Sequence, residues 1–305
     1  MSKTDGITVG EAVAGAILAL RSGDGSTITL PYTQPPGPGI YQPTPPAFLP
    51  ANFVAWGNVL PFTMRSGSQF LPGPPPALTS ERYTEDFIEI KRLGSINSTE
   101  RTSEQTEVAN FWVEASTVTW NRIARLAASA HGNSLSDNAR LFALLNMASA
   151  DGIIAGFNTK YTYNFWRPVT AIRAADTDGN PDTAADMTWT PLVVTPRHPD
   201  YTSNHCVYSA AAAKVLSSFF HGDHFDFSIT SSTAPGAVRS YRSFSQAAKE
   251  VGDARVWVGF HFRTACRVGL KQGKQIGRFA FKHYLKRVNK HDSQDNEEDG
   301  EDVDN

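Results

Sequence analysis

Cysteine is scarce: the two thiols in 305 residues, Cys206 and Cys266, cannot build a disulfide framework, and unpaired thiols are the default reading. Long apolar runs are missing too. The most apolar stretches, around 11–20 and 141–156, are too short or are broken by Asn146 and Asp151, so no membrane span is expected. The N-terminus, Met-Ser-Lys-Thr-Asp, lacks the charged, apolar and small-residue succession of a secretory leader; a cytoplasmic location is the default unless a leader precedes this sequence. Charge is sparse, 19% of residues, and nearly balanced at a formal −2, which points to no nucleic-acid partner. The balance conceals segregation. Residues 291–305 hold eight acids and no Lys or Arg, leaving 22 acids against 28 bases in the rest. An acidic run without apolar content is expected to be a disordered, solvating tail, and the basic remainder suits an anionic substrate.

Proline is concentrated. Thirteen of nineteen prolines fall between Pro31 and Pro76, interleaved with Phe48, Phe53, Trp56, Phe62 and Phe70. Fixed φ angles and missing N–H donors exclude long helices there, and the aromatics favour an irregular arm docked on a helical body over a Pro-rich partner ligand. Helical patterning brackets this stretch. A first helix is expected over 8–21, and from Ala77 the pattern is almost wholly helical. Starts are expected at Thr79-Ser80-Glu81, at Thr102-Ser103-Glu104 (running through Trp112, with a continuation to Ala130 left open), and at Ser136-Asp137 for a long helix to about Phe157. Others are expected from Ser203 to about Phe220, from Ser243 to Phe262 and from Ala265 to Arg287. Only Phe225–Thr230 alternates like a strand, and no repeat of 20–50 residues is visible. The expected fold class is all-α: a helical bundle with a Pro-rich irregular N-terminal arm, divided as 1–78 (first helix and arm), 79–288 (helical catalytic domain) and 289–305 (acidic tail).

Three segments set polar groups in apolar surroundings. In Lys160-Tyr-Thr-Tyr-Asn-Phe-Trp-Arg167-Pro168, seven residues are nearly two helical turns, so both cations could share a face. Pro168, however, starts a new helix better than it continues one, and two surface cations with buried stems is the plainer alternative. In His198-Pro-Asp-Tyr-Thr-Ser203-Asn204-His205, an apolar helix opens at a Ser, which fits an oxoanion at the helix N-terminus or a simple cap with a satisfied histidine. In Arg255-Val-Trp-Val-Gly-Phe-His261, six residues leave the two groups about 120° out of alignment on a regular helix. They meet only if the helix begins or bends between them, with Gly259 the candidate; otherwise His261 is a core histidine.

Taken in order, Lys-x6-Arg-Pro, Ser-x-His at a helix start and Arg-x5-His resemble the vanadium-dependent haloperoxidase and type 2 phosphatidic acid phosphatase superfamily, in its soluble haloperoxidase branch. The resemblance runs from about Val9 to Tyr284, with Tyr161–Asp176, Phe244–Arg263 and Gln42-Pro-Thr-Pro-Pro-Ala-Phe48 adding to it. It implies vanadate as cofactor, with phosphate able to take the same site. Lys160, Arg167 and Arg255 would neutralise its oxygens, and Ser203 and the Asn204 amide would hydrogen-bond them. His261 would be the axial ligand to vanadium, or the nucleophile of a phosphatase, and His205 the acid–base; His198 is a candidate halide site. The implied reaction oxidises halide, bromide ahead of chloride, with hydrogen peroxide to a hypohalous species that meets a small organic substrate. Oligomerisation is compatible with this reading.

The sequence departs from the family forms P-S-G-H and S-R-x5-H at Thr202, Asn204 and Ala254, where Asn204 puts a side chain in place of glycine. Two other readings remain open: a soluble acid phosphatase on the same pocket, and a non-catalytic anion-binding descendant.

Overall fold

The computed structural model describes residues 3–287; the acidic tail expected over 289–305 lies outside them. The helices are α1 (Lys3–Leu20), α2 (Glu81–Leu93), α3 (Ser103–Phe111), α4 (Ser116–Ala130), α5 (Leu135–Tyr163), α6 (Pro168–Arg173), α7 (Asn204–Phe219), α8 (Phe244–Trp257) and α9 (Arg263–His283). A small antiparallel ribbon, β1 (His224–Thr230) and β2 (Val238–Ser243), pairs Phe227 with Tyr241. The all-α reading holds with that one addition.

The starts follow local chemistry. Ser80 accepts from the Tyr83 amide, and Thr102 with Gln105 forms a reciprocal capping box. The expected cap at Ser136-Asp137 is corrected: Ser134 accepts from the Asp137 amide at 3.1 Å, so α5 starts earlier. It also runs past Phe157 to Tyr163, and ends where Asn164 takes a left-handed φ of 52°. The expected continuation from α3 to Ala130 is interrupted between Phe111 and Ser116.

Helices α5, α7, α8 and α9 form the centre. Along α9, Gly269, Gly273 and Gly277 face α7 so closely that a Cβ on each would press on the α7 backbone: Ser203, Val207 and Ala211 carbonyl oxygens respectively. Ala210 and Ala211 of α7 complete this contact, which brings the N-terminus of α7 against the start of α9. There the Ser203 amide donates to the Ala265 carbonyl at 3.1 Å. By length and composition α5 could cross a membrane, but its apolar residues Leu141, Leu144, Leu145 and Ala148 are fully buried in the bundle core.

Between α1 and α2 the backbone is irregular apart from a 3-10 turn at Trp56–Asn58. Asp151 on α5 fastens it: its carboxylate accepts from the amides of Phe62, Thr63 and Met64 and from the Thr63 hydroxyl. Of the aromatics expected to dock, Phe53 packs on Phe157 and Phe70 on Phe279, with centroids 5.1 and 5.6 Å apart. Phe48 does not dock and is 62% exposed.

Candidate active site

Lys160 and Arg167 are both fully buried, so the surface-cation alternative fails. They also do not share a helix face. Asn164 ends α5 one turn after Lys160, and Arg167 stands at the N-cap of α6 with Pro168 as its first residue. Both cations nevertheless converge on the backbone of residues 198–200. Lys160 Nζ donates to the carbonyls of Pro199 and Asp200 at 2.7 and 2.8 Å. The Arg167 guanidinium donates to the carbonyls of His198 (2.6 Å) and Phe260 (2.8 Å) and lies 2.9 Å from His198 Nδ1 and 3.1 Å from His261 Nε2.

Arg255 and His261 meet because α8 stops between them. Gly259 adopts φ 82°, a left-handed conformation that a side chain would strain. The Phe260 amide then returns to the Arg255 carbonyl and the Gly259 amide to that of Val256, a Schellman closure. The helix expected to run to Phe262 thus ends at Trp257, and His261 stands in the turn before α9. Arg255 donates to the Trp112 carbonyl at 2.8 Å and lies 4.7 Å from the Phe260 ring centre.

Asp200, absent from the expected set, defines the histidine. Its Oδ1 lies 2.8 Å from His261 Nδ1, so the proton belongs on Nδ1 and the Nε2 lone pair points toward Arg167. Both side chains are buried. The signal was present, a carboxylate two residues after His198 and the single acid between Asp186 and Asp223, but no spacing tied it to residue 261.

Ser203 is the N-cap of α7 by position, yet its side chain makes no capping bond. Its Oγ, His205 Nε2, Arg255 Nε and Asn204 Oδ1 are buried without a hydrogen-bond partner. The first-turn amides of α7 have no intrahelical acceptors either. Ser203 Oγ and Arg255 Nε are thus unpaired donors beside buried cations, which is costly unless an acceptor of negative charge joins them.

Electrostatics point the same way. Burial, then Arg167, pushes the Lys160 ammonium well below its usual range, and burial brings Arg255 down to about 10. His261 and His205 are driven strongly toward the neutral form, first by burial and then by Arg167 and Arg255 respectively. Burial raises Asp200 to about 7 despite both neighbouring cations. Among the described residues, the carboxylate touching this group is Asp200 alone, one acid against Lys160, Arg167 and Arg255. The excess suits an oxoanion dianion, and the donor set fits vanadate or phosphate.

His198 forms the inner wall of a cavity of about 460 Å³ lined also by Pro45, Leu49, Phe53 and Val194. Its ring meets Phe157 edge-on at 5.3 Å.

The chain is similar to known proteins in both sequence and fold. Residues 140–290 match the family described as the VCPO second helical-bundle domain. The crystal structure of a bacterial vanadium-dependent iodoperoxidase is 30% identical, with a TM-score of 0.82, over 94% of this chain and 71% of that one. The chain belongs to the vanadium haloperoxidase family. The vanadium chloroperoxidase of Curvularia inaequalis is 27% identical over 188 residues, 50% of this chain and 30% of that protein, so the chain spans under a third of that relative's length. Apo- and holo-type bacterial vanadium-dependent chloroperoxidases share the fold at 18% identity, with TM-scores of 0.75 and 0.70.

Proposed function

We propose that this haloperoxidase-family chain is a vanadate-dependent enzyme that oxidises halide, bromide ahead of chloride, with hydrogen peroxide. The reading is carried by one observation: Ser203 Oγ, Arg255 Nε and His205 Nε2 are unpartnered in a buried centre whose cations outnumber its carboxylate. The iodoperoxidase and chloroperoxidase names of the relatives support the halide chemistry.

Lys160, Arg167 and Arg255 would hold the vanadate oxygens by charge, with Ser203 Oγ and the Asn204 amide as neutral donors. His261 would ligate through Nε2, held in that tautomer by Asp200. Vanadate bound there would supply Lewis-acid activation of peroxide without a change of oxidation state. His205, neutral and with Nε2 free, would accept and return the proton that peroxide must lose. His198, hydrogen-bonded to Arg167 and facing the cavity, would receive the halide. A small organic acceptor would enter by the same cavity.

The His261–Asp200 contact also suits a nucleophilic imidazole, which keeps the acid phosphatase as a second reading on the same residues. Apo-protein loaded with orthovanadate should oxidise bromide in the presence of peroxide. His261→Ala should abolish that turnover with the helical spectrum unchanged, and His205→Ala should retain vanadate while losing about 10²–10⁴-fold in rate. Phosphomonoester hydrolysis without bromide oxidation would replace the first reading by the second. A folded protein that binds vanadate and turns over neither substrate would leave the anion-binding descendant.

A further inference from the structure

Thr202, which stands where the form P-S-G-H has proline, has a partner far along the chain. Its hydroxyl donates to Oε1 of Gln272 on α9 at 2.9 Å. Gln272 Nε2 donates to the Thr159 hydroxyl on α5 at 2.9 Å and to the Phe70 carbonyl of the N-terminal arm at 3.2 Å. Thr159 donates in turn to the Ala155 carbonyl, one turn back on α5, at 2.8 Å. Thr159, Thr202 and Gln272 are all buried.

The direction of each bond is fixed by its neighbours. Thr159 has one hydroxyl proton and commits it to Ala155, so it can only accept from the amide. Phe70 offers a carbonyl, which also calls for the amino end of Gln272. That leaves Oε1 to the Thr202 hydroxyl. A buried amide satisfied on both ends is stiff, because turning it would break three hydrogen bonds where no water replaces them.

The two hydroxyls have a common place in the chain. Thr159 directly precedes Lys160, and Thr202 directly precedes Ser203. Since Lys160 Nζ also donates to the carbonyls of Pro199 and Asp200, the segment before Ser203 is joined to α5 twice, by the ammonium and by the amide. Gly273, the next residue of α9, lets Gln272 reach both partners. Its missing Cβ is what allows α9 to lie against the Val207 carbonyl of α7. The arm closes the outer side, where Tyr201 Oη donates to the Gly73 carbonyl at 2.8 Å beside the Phe70 bond.

We infer that Gln272 is a positioning residue of the oxoanion pocket: by clamping the residues before Lys160 and Ser203, it sets the separation of these two groups without touching the anion. The inference rests on the vanadate reading of that pocket. Its chemistry suits the task, because the clamp is uncharged. A carboxylate at this position would set a second acid near Asp200 and reduce the positive excess that a dianion requires, whereas an amide fixes the geometry and leaves the charge alone.

The test uses conservative variants of the full chain. Thr202→Val keeps the shape and removes the hydroxyl, and calorimetry with orthovanadate should show affinity lower by about tenfold, as for other supporting partners of a metal site. Thr202→Ser, which keeps the hydroxyl, should bind nearly as wild type does. Thr159→Val should weaken binding in the same sense, and the double variant should lose less than the product of the two losses, because both act through one amide. In the unloaded protein the Lys160 amide resonance should move in Thr202→Val, and the Ser203 amide resonance in Thr159→Val, each across the clamp. Wild-type affinity in Thr202→Val would overturn the inference, even if that variant melts earlier. Equal losses in Thr202→Val and Thr202→Ser would overturn it too, by assigning the effect to packing. Halide turnover is a separate readout: a chain that binds vanadate and oxidises no halide would sink the proposed activity, while the affinity series still decides the clamp.

Discussion

Gly156 on α5 and Asn204 at the start of α7 are complementary: the Asn204 side chain fills the space that a Cβ at position 156 would need, its Oδ1 overlapping that position. Lys160 lies one turn further along the same face of α5. The asparagine that stands where the family motif has glycine is therefore accommodated by a glycine across the helix interface, rather than by enlarging the pocket.

That relationship predicts coupling. Gly156→Ala alone should push Asn204 off its seat, and calorimetry should show vanadate affinity falling by about tenfold. Adding Asn204→Gly should restore most of it, because contacting residues couple by about 0.5–3 kcal/mol. Strictly additive effects would show that the two positions do not share this space.

Asp200 is predicted to position His261. Asp200→Ala removes the acceptor at 2.8 Å from Nδ1, so the imidazole should lose its fixed tautomer. Partners of this kind are worth about 10–100-fold in metal affinity or activity. Vanadate affinity and bromide oxidation should fall by that factor, and the ¹⁵N shifts of His261 should move from the Nδ1–H form toward a mixture. Reduced activity with unchanged His261 shifts would assign Asp200 a purely structural role.

The order of the three motifs was legible in the sequence, whereas their meeting was only partly so. Pro168 announced the helix start that separates Arg167 from Lys160, and Gly259 was the evident place for α8 to end. The left-handed Asn164 that closes α5 was not legible, because asparagine adopts that conformation only where packing requires it. The second strand escaped for a simpler reason. Of Val238–Ser243 only Tyr241 is buried, which is too little alternation to register. Asp200 escaped because its partner is 61 residues away and no local period links them.

The ribbon and α8 meet at a carboxylate that should govern acid stability. Burial alone would raise the Glu250 carboxyl, but hydrogen bonds from Arg239, Trp112 Nε1 and Tyr241 Oη hold it below its usual range. A group lowered in the folded state stabilises fully above its unfolded pKa and loses that contribution as pH falls through the folded value. The melting temperature of wild type should exceed that of Glu250→Gln by several degrees at pH 7. The gap should close progressively below about pH 4, since an unperturbed Glu titrates near 4.3. A gap independent of pH would mean that the ionised carboxylate is not what the cluster uses.

Ser203 gives the sharpest separation of function from stability. A Ser at a helix N-cap ordinarily accepts from the first-turn amides, and its replacement by alanine costs about 0.5–2 kcal/mol. Here the position is the N-cap of α7 but the capping bond is absent, and Oγ is buried with no partner. The start of α7 is held instead by the Ser203 amide on the Ala265 carbonyl and by the glycine contacts along α9, none of which needs the hydroxyl. Ser203→Ala should thus leave the melting temperature of the unloaded protein within about a degree of wild type, or raise it slightly by removing an unsatisfied buried group. Vanadate affinity should behave in the opposite sense. A hydrogen bond to a charged oxygen is worth about 1.5–3 kcal/mol, so calorimetry should show a loss of about ten- to a hundredfold. Ser203→Thr, which keeps the hydroxyl, should bind more tightly than Ser203→Ala. A variant that melts early and binds vanadate normally would return Ser203 to the role of an ordinary cap.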